Sequence, residues 1–127
     1  MSRLGLYDNL AVMAGFKSLI VWQKSKDLSI EVYKLTKQFP SSEQFGLSSQ
    51  MRRAAVAIPS NIAEGYRRNN RKEYRQFCGI ALGSAAELET QLIITNEIYP
   101  QVNIDVHMLL FLCEEVEKML SALITKL

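Results

Sequence analysis

The chain has 127 residues, 48% of them hydrophobic and 22% charged, with a net charge of +2. That is ordinary globular composition, enough for one domain with a buried core. Six Gly and three Pro leave room for few turns, which argues against many short strands and for a few long elements.

Residues Met1–Gly15 show weak periodicity and two glycines. They read as an N-terminal extension, residues 1–15, that is loose or docks on a neighbour. The stretch lacks the continuous apolar run of a secretory signal. From Leu19 the spacing is helical: Val21, Leu28, Val32, Leu35 and Phe39 make one stripe, and Pro40 stops it. Ser41 with Gln44 has capping-box spacing for a second helix, whose stripe is Leu47, Met51, Ala54, Ile58 and Ile62. Pro59 inside that pattern predicts a kink or an irregular turn before the helix resumes to about Arg68. Asn69-Asn70 makes a tight connection, and Asn70 with Glu73 predicts the N-cap of a third helix running to about Ile98. Pro100 and Asn103 break it. A fourth helix begins near Ile104, with Val106, Cys113, Val116, Leu120, Leu123 and Leu127 on its stripe. The predicted fold is all-α, an up-down antiparallel four-helix bundle over residues 16–127.

Little here points to catalysis. His107 is the only imidazole, and no Glu lies three residues before it, as a di-iron bundle requires. Cys78 and Cys113 lack neighbours at metal-ligand spacing and read as buried thiols in a reducing cytoplasm. There is no phosphate-cradling Gly-rich loop. The expectation is a non-enzymatic, cytoplasmic protein with no metal and no cofactor. No stretch reads as long and charge-free enough to span a bilayer.

Charge is uneven along the chain. Residues 50–75 carry seven Lys and Arg against Glu64 and Glu73, while residues 87–127 carry seven acids against Lys118 and Lys126. Arg67, Arg68, Arg71, Lys72 and Arg75 bracket the turn between the second and third helices and form the candidate nucleic-acid site. Tyr66 and Tyr74 flank them and are candidates to stack on bases. Arg53, Asn61 and Glu64 fall on one face of the second helix, with Glu87 on the third within reach. These four are predicted to form a structural polar network that fixes helix register. Gly79, Gly83, Ser84, Ala85 and Ala86 crowd the third helix, and glycine in a helix costs about 1 kcal/mol against alanine. Close approach to the second helix or to a neighbouring subunit is the expected reason.

Several stretches carry a family resemblance: Val21-Trp22-Gln23-Lys24, Phe39-Pro40, Arg53-Ala54-Ala55, Ile58-Pro59 with Asn61-Ile62-Ala63-Glu64-Gly65, and Gly83-Ser84 with Glu87-Leu88-Glu89. Through them the chain resembles the bacterial four-helix bundle proteins encoded in intervening sequences of 23S ribosomal RNA genes, also called S23 ribosomal proteins. The resemblance implies a homo-oligomer, a pentamer. It also implies kinship with the accessory bundle protein of diversity-generating retroelements, which binds nucleic acid and a reverse transcriptase. Ala57 stands where the family often has Ser, and residues 1–15 precede its usual start. The expected function is therefore binding of RNA or DNA by an oligomeric bundle, and the alternative is a protein–protein scaffold without nucleic acid.

Overall fold

A computed structural model describes residues 15–127. Four helices follow a short 3-10 turn, Phe16–Ser18: α1 (Ile20–Thr36), α2 (Leu47–Tyr66), α3 (Arg71–Ile98) and α4 (Asn103–Lys126). Each packs on its neighbours in chain order, and α4 closes the bundle against α1. The α2/α3 seam is the most extensive and the α1/α4 seam the least. The up-down four-helix bundle is the observed fold.

The expected stripes make the core. Leu28, Val32 and Leu35 of α1 meet Met51, Ile58 and Ile62 of α2, Leu88 and Leu92 of α3, and Val106, Val116 and Leu120 of α4, all fully or almost fully buried. Burying each such side chain is worth roughly 1.5–3 kcal/mol. Two buried hydroxyls of α1 are satisfied locally, with Ser25 Oγ donating to Trp22 O at 3.0 Å and Thr36 Oγ1 to Val32 O at 2.9 Å.

One helix start differs from the sequence expectation. Ser41 does not cap α2; Ser41–Glu43 is a separate 3-10 turn and α2 begins at Leu47. The side chain that serves the new start is Glu43, whose Oε1 accepts from Leu47 N at 3.3 Å. Its other oxygen accepts from Tyr99 Oη at 2.5 Å, and Tyr99 lies 5.3 Å from the Phe39 ring, so one carboxylate joins the two linkers at this end. That bond is the main reason the Tyr99 phenol titrates above its ordinary range. The Asn70 cap forms as expected: its Oδ1 accepts from Glu73 N at 2.8 Å.

Pro59 does not break α2, which runs unbroken from Leu47 to Tyr66 with the proline buried inside it. A proline ring removes the N–H that would bond the carbonyl four residues earlier. Here that carbonyl belongs to Ala55, and Ser29 Oγ of α1, which also lies 3.0 Å from Ser25 O of its own helix, reaches it at the shorter 2.8 Å. A hydroxyl from one helix thus replaces the missing donor of the next. Ser29→Ala should destabilise the protein by about 1–2 kcal/mol, the cost of a buried orphaned carbonyl. Pro59→Ala restores an N–H at position 59, so in that background the cost of Ser29→Ala should shrink by about 1 kcal/mol. Urea unfolding of the four variants measures this coupling, and equal costs in both backgrounds would exclude it.

The expectation about apolar length also needs correction. Within α3 an 18-residue window reaches a mean hydropathy of 1.3 with no more than two charges, long and apolar enough by composition to cross a membrane. Only a third of that window is buried in the bundle. The average is high because the outward face is small and apolar as well as the core face. Gly79, Gly83, Ala86 and Thr90, together with Ile80, Ile93 and Ile94, are all exposed. A Cβ added at Gly79 or Gly83 would meet nothing within 4 Å. Among the described residues, then, these glycines do not serve a close approach to α2.

Candidate nucleic-acid interface

The turn between α2 and α3 places the five predicted cations together at one end of the bundle. Arg67 and Arg68 follow the last turn of α2, and Arg71, Lys72 and Arg75 open α3. All five are exposed. The 3-10 turn at Phe16–Ser18 packs on α1 and α2 at the same end, which sets Phe16 under Arg67 and brings Lys17 to that end. Lys126, on the last turn of α4, arrives there too, because Arg71 Nη2 donates to its carbonyl at 3.5 Å. Neither lysine was legible as part of the site, since each is more than 45 residues from the turn in sequence. Glu64 and Glu73 are the acids in this group.

Several of the guanidiniums have structural partners. Arg68 Nη2 pairs with Glu64 Oε2 at 2.9 Å, and its Nη1 lies 3.7 Å from Glu73 Oε1. Both pairs are exposed, so they contribute at most about 0.5 kcal/mol each and are screened by salt. Arg75 Nη2 donates to the Leu127 carbonyl. Arg71 and Arg75 thereby place positive charge against the negative end of the α4 dipole. Arg67 lies 5.2 Å over the Phe16 ring and Arg68 4.9 Å over Phe77. Among the described residues Lys72 forms no ion pair or hydrogen bond. The start of α3 adds its own positive dipole end to the field.

The flanking tyrosines pack on each other, with ring centroids 5.9 Å apart and edge to face. Tyr74 is half-buried, and burial first, then the nearby Cys78 and Tyr66, push its phenol up to about 12. At neutral pH it is a neutral ring in a packed cluster.

The predicted polar network does not close within the protomer. Asn61 Nδ2 turns back to donate to Ala57 O at 2.7 Å, Glu64 is taken by Arg68 one turn on, and Glu87 accepts from Gln91 at 3.4 Å. No bond joins any two of Arg53, Asn61, Glu64 and Glu87. Arg53 and Glu87 do line one cavity of about 370 Å³ in the α2/α3 seam, with Gln50, Ala54, Ala57 and Ser84. Local partners at i±4 capture Asn61, Glu64 and Glu87 before they can reach across.

The acidic half of the chain forms a second electrostatic feature. Glu117 of α4 faces Glu89 of α3. Burial, a hydrogen bond with Glu89 and the charges of Glu89 and Glu114 push its carboxyl up to about 7. The raised value means the folded state binds a proton more tightly than the unfolded chain. That stability is complete below the ordinary carboxylate range and is lost as pH rises through about 7. Allowing for solvent at a partly exposed site, the loss should be about 1–2 kcal/mol. Glu117→Gln should flatten the profile, which urea midpoints at about pH 5 and about pH 8 would read. Identical pH profiles for the variant and the parent protein would refute the assignment.

Cys78 and Cys113 are free and buried. Desolvation pushes their thiols up to about 11 and about 12, so both are protonated at neutral pH. Cys113 Sγ donates to Ala85 O at 3.3 Å. Among the described residues no group of three or more His, Cys, Asp or Glu is placed to hold a metal ion.

Residues 17–122 match the family described as 23S rRNA-intervening sequence protein. The chain belongs to that family. The match begins in the 3-10 turn before α1 and reaches into all four helices of this 23S rRNA-intervening sequence protein, ending within the last turns of α4. A solved structure from Bacteroides thetaiotaomicron, a protein of unknown function from the S23 ribosomal protein family, has the same fold. It is 23% identical, with a TM-score of 0.74, and the alignment covers 83% of this chain and 98% of that one. No curated protein matches the chain.

Proposed function

We propose that this family member is a non-enzymatic, cytoplasmic bundle protein that assembles as a homo-oligomer and binds the phosphate backbone of RNA or DNA through its basic end. The observation that carries the reading is the convergence of Lys17, Arg67, Arg68, Arg71, Lys72, Arg75 and Lys126 from three separate stretches of chain onto one end. Two acids oppose them there. Such a surface neutralises phosphates and releases counterions, so its affinity falls with salt. A cyclic pentamer, which the family resemblance implies, would repeat the patch around a ring and strengthen its field. A reverse transcriptase or another protein partner rests on that resemblance alone.

Titration with structured RNA and duplex DNA tests the reading. Four phosphates neutralised per site would weaken binding about a hundred-fold between about 50 and about 200 mM salt. Lys72→Glu with Arg67→Glu should lower that slope by about one to two, and these positions leave the α4 end contacts of Arg71 and Arg75 intact. Absence of salt-sensitive binding at low salt would overturn it.

A second reading, a protein–protein scaffold without nucleic acid, is favoured by the open small-residue face of α3. Under that reading the basic variants lose nothing, and variants on the α3 face lose assembly.

A further inference from the structure

Phe45, in the linker between α1 and α2, leaves 89% of its surface exposed, more than any other large apolar side chain among the described residues. It borders a recess of about 610 Å³ beside the first turns of α2, together with Tyr33 of α1, Gln44, Ser49, Arg52 and Arg53. That volume lies within the range of ligand pockets, roughly 300–1,000 Å³.

Two guanidiniums line the recess and no carboxylate does. Arg52 is held in place: its Nε donates to Thr36 Oγ1 at 2.8 Å, and its guanidinium lies 4.7 Å over the Tyr33 ring. Among the described residues the Nη groups of Arg52 have no partner, and Arg53 forms no ion pair or hydrogen bond. Glu43 is the acid nearest to Phe45 along the chain, and its two oxygens are taken by Leu47 N and Tyr99 Oη. The start of α2 adds its positive dipole end. Guanidinium forks match phosphate oxygens, and an uncovered aromatic ring matches the flat face of a base. Side by side, they match a nucleotide.

We propose that this recess captures an unpaired nucleotide of a single-stranded nucleic acid, with the base stacked on Phe45 and the phosphate held by Arg53 and the Nη groups of Arg52. The site rests on the nucleic-acid reading above and narrows it to single strands. In a duplex both faces of a base are already stacked, so the Phe45 ring has none to cover. The recess lies at the opposite end of α2 from the basic turn. The 20 residues of α2 separate the two, about 30 Å, which about nine stacked nucleotides span at about 3.4 Å each. A strand bound at both points runs along the outside of α2.

Anisotropy titrations of the full chain test this, with a labelled oligouridylate of about twelve nucleotides, the same strand paired in a duplex, and uridine monophosphate as competitor. Phe45→Ala, at a position too exposed to unfold the bundle, should lower affinity for the single strand about ten-fold and leave duplex affinity unchanged. Phe45→Trp should keep single-strand binding. Phe45→Leu should lose it, because leucine supplies apolar volume without a flat face. Arg53→Gln should lower the single-strand salt slope by about 0.7, the share of one phosphate. Single-strand binding that is salt-sensitive but indifferent to Phe45 and Arg53 would overturn this site and leave the basic end standing. Absence of salt-sensitive binding to any strand would overturn both. Uridine monophosphate that binds as tightly as the strand would overturn the strand as occupant. A Phe45→Ala variant with altered assembly size and unaltered strand affinity would also overturn the site, because the ring would then pack on a second copy.

Discussion

Gly65→Ala should destabilise the bundle by about 2–3 kcal/mol, a large fraction of the stability of a small domain. A methyl group at this position would stand 2.7 Å from Phe77 Cβ, 3.1 Å from Tyr74 Cδ1 and 3.2 Å from the Tyr74 carbonyl oxygen. None of the three can swing aside. A Cβ and a carbonyl move only with the backbone, and the Tyr74 ring is held against Tyr66. The ends of α2 and α3 would have to part, although alanine favours a helix over glycine by about 1 kcal/mol. For this chain length the expected cost is about 10 °C in the melting midpoint. Because the displaced helix ends carry Arg67, Arg68, Arg71 and Lys72, nucleic-acid binding should fall as well. A midpoint within about 2 °C of the parent protein would mean that the seam yields, contrary to its packing.

Gly79 and Gly83 should behave in the opposite way. Each lies within α3 with open space at its Cβ. Alanine at both should raise protomer stability by about 1 kcal/mol per site, through helix propensity and a less flexible unfolded chain. A helix that tolerates two such costs on an exposed apolar face fits close packing against another copy. If the protomers assemble as proposed, Gly79→Leu with Gly83→Leu should leave the protomer folded but weaken that assembly by about a hundred-fold, as disruption of a central interface contact does. Light scattering across a dilution series reads the assembly, and circular dichroism reads the fold. Unchanged size in the leucine variant would remove this face from the proposed assembly.

The fold was legible because four apolar stripes repeat at helical spacing and prolines or asparagines separate them. What sequence spacing misjudged was every feature set by a partner far along the chain. Ser41 and Gln44 have the spacing of a capping box, yet Glu43 serves the start of α2 while Tyr99 holds its other oxygen. Pro59 reads as a kink or an irregular turn because its replacement donor sits on α1. The basic cluster was visible as five residues near one turn, but Lys17 and Lys126 join it only in three dimensions. The anchoring of Arg71 and Arg75 on the carbonyls of Lys126 and Leu127 spans more than fifty residues. The expected Arg–Asn–Glu network failed for a local reason. Glu64 pairs with Arg68, at i+4, at 2.9 Å.

The bond from Ser29 to the Ala55 carbonyl has a consequence for pairing. Apolar stripes tolerate sliding, since one leucine packs much like the next. A shift of α1 by a single residue, however, moves Ser29 about 1.5 Å along the axis and about 100° around it. The carbonyl exposed by Pro59 would then face carbon. The proline thus sets a directional mark on an otherwise greasy surface. It admits one alignment of α1 against α2, and with it one placement of the chain entry at Gly15 over the basic end.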